Sequence, residues 1–259
     1  MPEGHTLRYA TQALAPLVGT SLAASARHPR GQAIAAAIDG RTLVSVDARG
    51  KHLLARIDDG RTLHSHLRMS GAWHAYTPGQ RWRRPAWGAW LVLDSPDRTV
   101  VQFGGPVLEL LDAARLALHP SLSRLGPDVL AADFDPVQAA RRALAAAGDD
   151  AGVGDLLLDQ RIACGIGNMF RAEVLWALRV DPFARAGALG EAALTAAYAE
   201  AARQMGHAVQ LGHEPRKRVY GHKRCERCRG PISRRAQGDD GRVAHWCPVC
   251  QTRGGQQQG

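Results

Sequence analysis

No run of apolar residues in this 259-residue chain approaches the roughly 20 needed to cross a bilayer. The opening MPEGHTLRYA lacks the basic segment and apolar stretch of a secretory signal, so the chain reads as cytoplasmic. Internal repeats are absent. Cysteine is scarce: there are five, and four of them fall in the last 35 residues. In a cytosolic chain, paired Cys-x-x-Cys units of this kind argue for a metal and against disulfides. Acidic residues are almost missing from one stretch. Between Arg216 and Arg242 only Glu226, Asp239 and Asp240 stand against ten Lys/Arg, so the stretch contributes +7 of the net +9.

What is present fits a globular protein: 45% hydrophobic residues, a mean hydropathy of -0.24, and length for two domains with their own cores. The pI of about 9.9 and the local basic cluster fit a polyanionic partner, although composition alone allows a solvated basic surface.

Residues 3–18 carry Leu7, Ala10, Leu14 and Leu17 at helical spacing, with Pro16 near the end. From Leu43 to Phe103 the pattern becomes short β-type runs (LVSV, HLLARI, TLHSHL, WHAY, AWLVL, TVVQF) broken by turn formers. A polar, proline-containing stretch, Gly126 to Pro136, marks a boundary. Helical patterns follow at Val137–Ala147, Gly154–Gln160, Met169–Leu178 and Glu191–Val209. The expected fold is α+β, with a leading helix and β-sandwich over 1–130. A helical domain over 131–215, a zinc-ribbon hairpin over 216–252 and a disordered tail over 253–259 complete it.

Cys225-x2-Cys228-x18-Cys247-x2-Cys250 has the spacing of a four-thiolate zinc ribbon. Two knuckles joined through a hairpin close a tetrahedron with no position left for water. The expected cofactor is therefore one structural Zn2+ that contributes to folding. Cys164 is left over and reads as a small buried residue. A ribbon alone does not define a function.

Three further segments narrow the reading. The chain begins Met1-Pro2-Glu3-Gly4. Its middle holds Leu157-Leu158-Asp159-Gln160, then Gly165-Ile166-Gly167-Asn168 and Glu173. Its end holds Val219-Tyr220-Gly221, the cysteines, Arg242 and Trp246-Cys247-Pro248-Val249-Cys250-Gln251. In order and spacing, from Pro2 to Gln251, the chain resembles the formamidopyrimidine-DNA glycosylase/endonuclease VIII family. The resemblance implies a helix–two-turn–helix element around Asn168 and a bifunctional DNA glycosylase/AP lyase. Such an enzyme excises oxidised bases from damaged double-stranded DNA. A monomer in the cytoplasm, associated with the nucleoid when acting, is expected.

Within that resemblance Pro2 is the nucleophile, once Met1 is removed. A chain-terminal amine has a pKa near 8 against about 10.4 for lysine, so on the order of a hundred-fold more is neutral at pH 7. Bonded to C1′, this secondary nitrogen gives an iminium that is cationic at any pH, an electron sink for β,δ-elimination. By itself Pro2 reads better as the first turn of a helix; the rest of the pattern makes it the nucleophile. Glu3 is carried over as the proton shuttle, where its plain role is a charge favourable to a helix N-terminus.

Lys51, after Arg49-Gly50 at a strand start, matches the catalytic lysine segment and would hold a phosphate. Asn168 follows glycines that let the backbone approach phosphate. Arg242 occupies the position of the zinc-finger arginine, a bidentate phosphate clamp. Glu173 is expected to buttress the Pro2 region within the DNA-binding element. Met69, in His66-Leu67-Arg68-Met69-Ser70-Gly71, falls in the wedge loop that fills the space of an extruded base, flanked by Arg68 and Ser70. Core filler is its ordinary alternative. His64 and His66 alternate on one strand face; a DNA-backbone role is expected for His66 and no metal, since no third ligand is apparent.

The chain departs from many family members at Gly4-His5-Thr6, where proline and glutamate are usual at the fifth and sixth positions, and at Cys164. The segment Gln210 to Arg218 is short where 8-oxoguanine-recognising members carry a longer capping loop. That favours the endonuclease VIII side and oxidised pyrimidines. The remaining readings are an 8-oxoguanine-type glycosylase, a non-catalytic zinc-ribbon DNA-binding protein, and a zinc-ribbon protein acting on RNA.

Overall fold

The structure, a computed structural model, describes residues 2–148 and 151–252. Met1 and the tail from residue 253, expected to be disordered, lie outside the described residues. The chain forms two compact units, Met1–Ser123 and Arg124–Gly259. Among the described residues no helix is long and apolar enough to cross a membrane.

The first unit opens with α1 (Gly4–Leu14), whose Leu7, Ala10 and Leu14 are buried along one stripe. The chain tightens into a 3-10 turn at Ala15–Leu17, where Pro16 has no amide to continue the α-helical ladder. Two antiparallel sheets follow. One has the order β2 (Leu43–Arg49), β3 (His52–Ile57), β4 (Thr62–His66), β8 (Val107–Leu111). The other has the order β1 (Ala23–Ser25), β6 (Ala89–Ser95), β7 (Arg98–Phe103), β5 (Ala72–Tyr76).

Strand alternation sends Leu53, Ala55, Ile57 and Leu63 of the first sheet into one core with Leu91, Leu93 and Val100 of the second. The result is the expected sandwich.

Helix α2 (Pro29–Ile38) was not foreseen, because its alanine-rich sequence shows little polar contrast. It starts where the His28 side chain accepts from the Arg30 amide at 3.2 Å and Pro29 presets the backbone. Gly31 presses against the Trp90 carbonyl so closely that any Cβ would overlap it. Strand β8 and the short α3 (Ala113–Ala117) also lie outside the sequence pattern.

The second unit packs α4 (Pro136–Ala146), α5 (Val153–Leu158), α6 (Asn168–Ala177) and α7 (Ala186–Leu211) around one apolar core. The last is interrupted at Gly190, where φ is +77°. The hairpin β9 (Ser233–Gln237) and β10 (Arg242–Trp246) completes the unit. The polar stretch before α4 is not a free linker. Gly126 donates to the Gln160 carbonyl at 2.9 Å, Val129 donates to that of Cys164 at 3.1 Å, and Val129 joins the second core. The first unit accordingly ends at Ser123, several residues short of the expected boundary at 130.

Candidate functional site

At the N-terminus, Glu3 is extended (φ −130°, ψ −175°) and caps α1, which begins at Gly4. Its amide donates to Thr6 Oγ1 at 3.3 Å, so the departure at the sixth position supplies half of a capping arrangement. Pro2 therefore precedes the cap and is not the first residue of the helix. The Glu3 side chain is fully buried.

Lys51 stands in the turn between β2 and β3, one residue before the strand. The pairing Arg49↔His52 leaves only Gly50 and Lys51 to reverse the chain, and Gly50 does so with φ +57°. Because His52 pairs with His66 across β3 and β4, this turn shares one end of the sheet with the exit from β4. There Leu67 to Gly71 close a tight loop: Gly71 donates to the Leu67 carbonyl at 2.9 Å, and Arg84 Nη1 donates to that of Ser70 at 2.7 Å. Arg68 takes a left-handed φ of +49°. A Cβ on Gly71 would meet Leu67 O at 2.8 Å and Gly105 Cα at 2.9 Å. The loop holds Met69 outward, 65% exposed, which removes the core-filler reading. Lys51, His66, Arg68 and Met69 are thus brought together.

His66 is not accompanied by His64 alone. His52, Glu109 and His119 join them, three groups that sequence reasoning missed. The expectation that no third ligand stands near His64 fails, because β8 and the segment after α3 bring Glu109 and His119 to it. Burial, followed by the charges of His66, His64, His119 and Lys51, lowers the His52 pKa to about 2. Burial, then Arg68, Lys51 and His64, lowers that of His66 to about 4. Both imidazoles are neutral at physiological pH.

In the second unit Asn168 opens α6 after Gly165 (φ +113°) and the extended Gly167. Its Nδ2 donates to the Val243 carbonyl at 3.0 Å, and its Oδ1 accepts from Arg171 Nη2. Arg171, which sequence reasoning also missed, is fully buried. It donates further to Gln237 Oε1 at 3.2 Å and to the Arg242 carbonyl at 3.3 Å. A lone arginine amid the apolar residues of α6 was the available signal. One guanidinium thus ties Asn168 to the hairpin residue that carries the second phosphate-clamp candidate, Arg242. Asp155, whose pKa burial raises against the pull of Arg171, lies beside Gln237 and Gly238.

Glu173 has a use that sequence reasoning did not foresee. Its carboxylate accepts from the amides of Arg218 (2.9 Å), Val219 (3.0 Å) and Tyr220 (2.8 Å), fixing the chain that leads into the hairpin.

The sulfurs of Cys225, Cys228, Cys247 and Cys250 lie within 4.8 Å of one another. Cys225–Cys250 is 3.9 Å and Cys228–Cys247 is 3.4 Å. A tetrahedral zinc with bonds of about 2.3 Å needs sulfur–sulfur edges of about 3.8 Å, so the four donors fit a metal ion. Trp176 Nε1 donates to Cys225 Sγ at 3.2 Å, an outer contact that orients the sulfur. Burial raises the Cys225 pKa, but the Cys228 and Arg227 amides and the Trp176 indole outweigh it, and the result is about 6.

A β-sandwich, a helix–two-turn–helix unit and a four-cysteine hairpin in one chain define a class: the base-excision glycosylases built on this architecture. The family model for the Formamidopyrimidine-DNA glycosylase N-terminal domain matches residues 1–115, and that for the Formamidopyrimidine-DNA glycosylase H2TH domain matches residues 125–218. The chain is 37% identical to a probable endonuclease 8 of Streptomyces coelicolor, over 97% of this chain and 94% of the relative. It is 31% identical to endonuclease 8 of Salmonella paratyphi A, over 83% and 85%. The fold is shared with Lactococcus lactis formamidopyrimidine-DNA glycosylase, solved non-covalently bound to DNA containing an AP site. That likeness has a TM-score of 0.79 at 24% identity, over 96% of this chain and 99% of the other. The chain belongs to the formamidopyrimidine-DNA glycosylase/endonuclease VIII family, bifunctional DNA glycosylases and AP lyases of base excision repair.

Replacing Arg171 by Met strands two buried acceptors, Asn168 Oδ1 and Gln237 Oε1, and the part-buried Arg242 carbonyl, and should destabilise the second unit by about 2–4 kcal/mol, read by denaturant unfolding. Acid should unsettle the first unit. His52 and His66 have folded pKa values below the unfolded 6.5, so the unfolded state binds protons first as pH falls. Their contribution is whole above pH 6.5 and shrinks by about 1.4 kcal/mol per histidine for each unit below, up to about 4 kcal/mol together at pH 5. Thermal melts between pH 7.5 and 5 should record this loss, which replacing both histidines by Gln should diminish.

Proposed function

We propose that this chain excises oxidised bases, pyrimidines foremost, through a Schiff base on Pro2 and then cuts the strand by β,δ-elimination. The observation that carries this reading is the cap at Glu3. The helix starts beyond it, so Pro2 is not needed to begin α1.

With Met1 removed, the neutral prolyl nitrogen bonds to C1′ as the glycosidic bond breaks. The base leaves with that bond's electron pair and takes up a proton, and the nitrogen sheds its own. The nitrogen lone pair then expels O4′, which accepts a proton from Glu3, and a ring-opened iminium results. That cation acidifies C2′. Loss of its proton expels the 3′ phosphate, a second deprotonation at C4′ expels the 5′ phosphate, and water hydrolyses the iminium to restore Pro2.

Lys51 and His66 hold phosphate from the first unit, Asn168 and Arg242 from the second. Met69, with Arg68, occupies the gap left by the extruded base. Glu173 acts at one remove, through Arg218 to Tyr220. The four cysteines hold one structural Zn2+, which staples the hairpin that presents Arg242. The chain works on damaged double-stranded DNA as a monomer in the cytoplasm. Two facts support the pyrimidine preference: α7 runs to Leu211, leaving only Gly212 to Arg218 before Val219, and the Streptomyces and Salmonella relatives, at 37% and 31% identity, are named probable endonuclease 8 and endonuclease 8.

Borohydride added during reaction with a thymine-glycol duplex should trap a covalent adduct, which peptide mass spectrometry places on residue 2 of a chain lacking Met1. Pro2→Ala leaves a primary amine and should slow trapping on the order of ten-fold or more. An 8-oxoguanine duplex should react more slowly. Fully active enzyme that retains Met1, or an adduct on a lysine, overturns the assignment. Metal analysis should find one zinc per chain, and chelation should lower the melting temperature of the second unit by about 5 °C or more.

A further inference from the structure

The outer face of the sheet β2-β3-β4-β8 is unlike a solvated sheet face. Its inner residues Leu53, Ala55, Leu63, Leu108 and Leu110 pack on the core, and alternation turns His52, His64, His66 and Glu109 outward. Yet His64 is only 1% exposed and His52 8%. Buried imidazoles persist where each nitrogen has a fitting partner.

The partners fix every tautomer. His119 Nδ1 accepts from the amides of Ser121 (3.3 Å) and Leu122 (3.2 Å), so its proton is on Nε2, donated to Glu109 Oε1 at 3.1 Å. The same Oε1, an acceptor, takes the proton of His64 Nδ1 at 2.8 Å. His64 Nε2 is then a lone pair and accepts from His52 Nδ1 at 2.8 Å. His66 Nδ1 accepts from the Arg68 amide at 3.0 Å, which leaves its proton on Nε2.

The hydrogen bonds therefore run one way, from His52 through His64 to Glu109. The His52 ring stacks on His64 (5.1 Å between centroids, 20°) and meets His66 edge-on (4.7 Å, 63°). His66 is held between that ring and the Arg68 amide.

We propose that Glu109, acting through His64 and His52, is a positioning chain for His66. It sets the ring whose Nε2–H donates to a DNA phosphate, and it rests on the reading of His66 as a phosphate contact. His64, Glu109 and His119 also lie within 4.8 Å of one another, as metal ligands would. The tautomers oppose a metal. Ligation through His119 Nε2 requires a proton on Nδ1, where two amide protons already point.

Imidazole nitrogen NMR of the zinc-loaded, 15N-histidine-labelled protein at pH 7.5 tests the chain directly. His52 and His64 should carry their proton on Nδ1, the less common form of a free imidazole, and His66 and His119 on Nε2. Glu109→Ala should shift the His66 resonances and weaken binding to a duplex containing a tetrahydrofuran abasic analogue by about five- to ten-fold. Glu109→Gln keeps an Oε1 that both histidines reach and should stay within about two-fold.

A His64 proton on Nε2 overturns the proposal, and so does equal weakening by Ala and Gln. A second zinc that shifts the His119 resonances overturns it as well. Should Glu109→Ala fail to fold, the tautomers of the parent protein and the Gln variant still decide. A His66→Ala variant that binds as tightly as the parent sinks the phosphate-contact reading instead, with the tautomers unaffected.

Discussion

The guanidinium of Arg171 governs the second unit. It lies wholly out of water, and a charged group in that position loses several kcal/mol unless acceptors meet it. The acceptors it meets are Asn168 Oδ1, Gln237 Oε1 and the Arg242 carbonyl, from the first turn of one helix and both strands of the hairpin. Helix and hairpin are thereby locked in register. Asn168 binds the same hairpin through Val243, and Gln237 continues the network to the Pro182 carbonyl at 2.7 Å. The orientation of Arg242 follows from this buried cation as much as from the cysteine cluster further along the hairpin.

The first unit meets the same constraint by a different means. Its sheet end combines a two-residue turn, a tight loop closed on Gly71 and a row of imidazoles on one face. None of these depends on cation–anion pairing in the interior, and the buried His52 and half-buried His66 are kept neutral chiefly by desolvation. Rigid backbone turns place Lys51 and Met69, and His66 lies between the Arg68 amide and the edge of the His52 ring. Side chains at this end of the sheet are in this way preorganised by backbone turns and hydrogen bonds rather than by a buried cation.

Much of this was legible beforehand for physical reasons. Strand alternation and helical stripes are local, so the sandwich strands between Leu43 and Phe103 and the helices from α4 onward could be read from periodicity. The cysteine spacing is a covalent ruler for a tetrahedron, and the sulfurs do gather. Helix α2 escaped because alanine on every face leaves no amphipathic signal, and β8 because five residues of near-continuous apolar character lack one. The stretch from Gly126 to Pro136 looked like a linker by composition, yet its backbone bonds to Gln160 and Cys164 make it part of a core.

The sequence by itself determined the residues available: a proline at position 2 followed by Glu3, a lysine after a glycine, four thiols at ribbon spacing and a basic segment around Arg242. Tertiary structure alone decided which side chains serve the others. Glu173 became an anchor for three amides, Arg171 a buried brace, and Glu109 and His119 partners of a histidine 45 and 55 residues away. Spacing along the chain reports what a residue can do, whereas its partner is set by which strands and helices pack together. That choice is made by the burial of apolar surface far from the site.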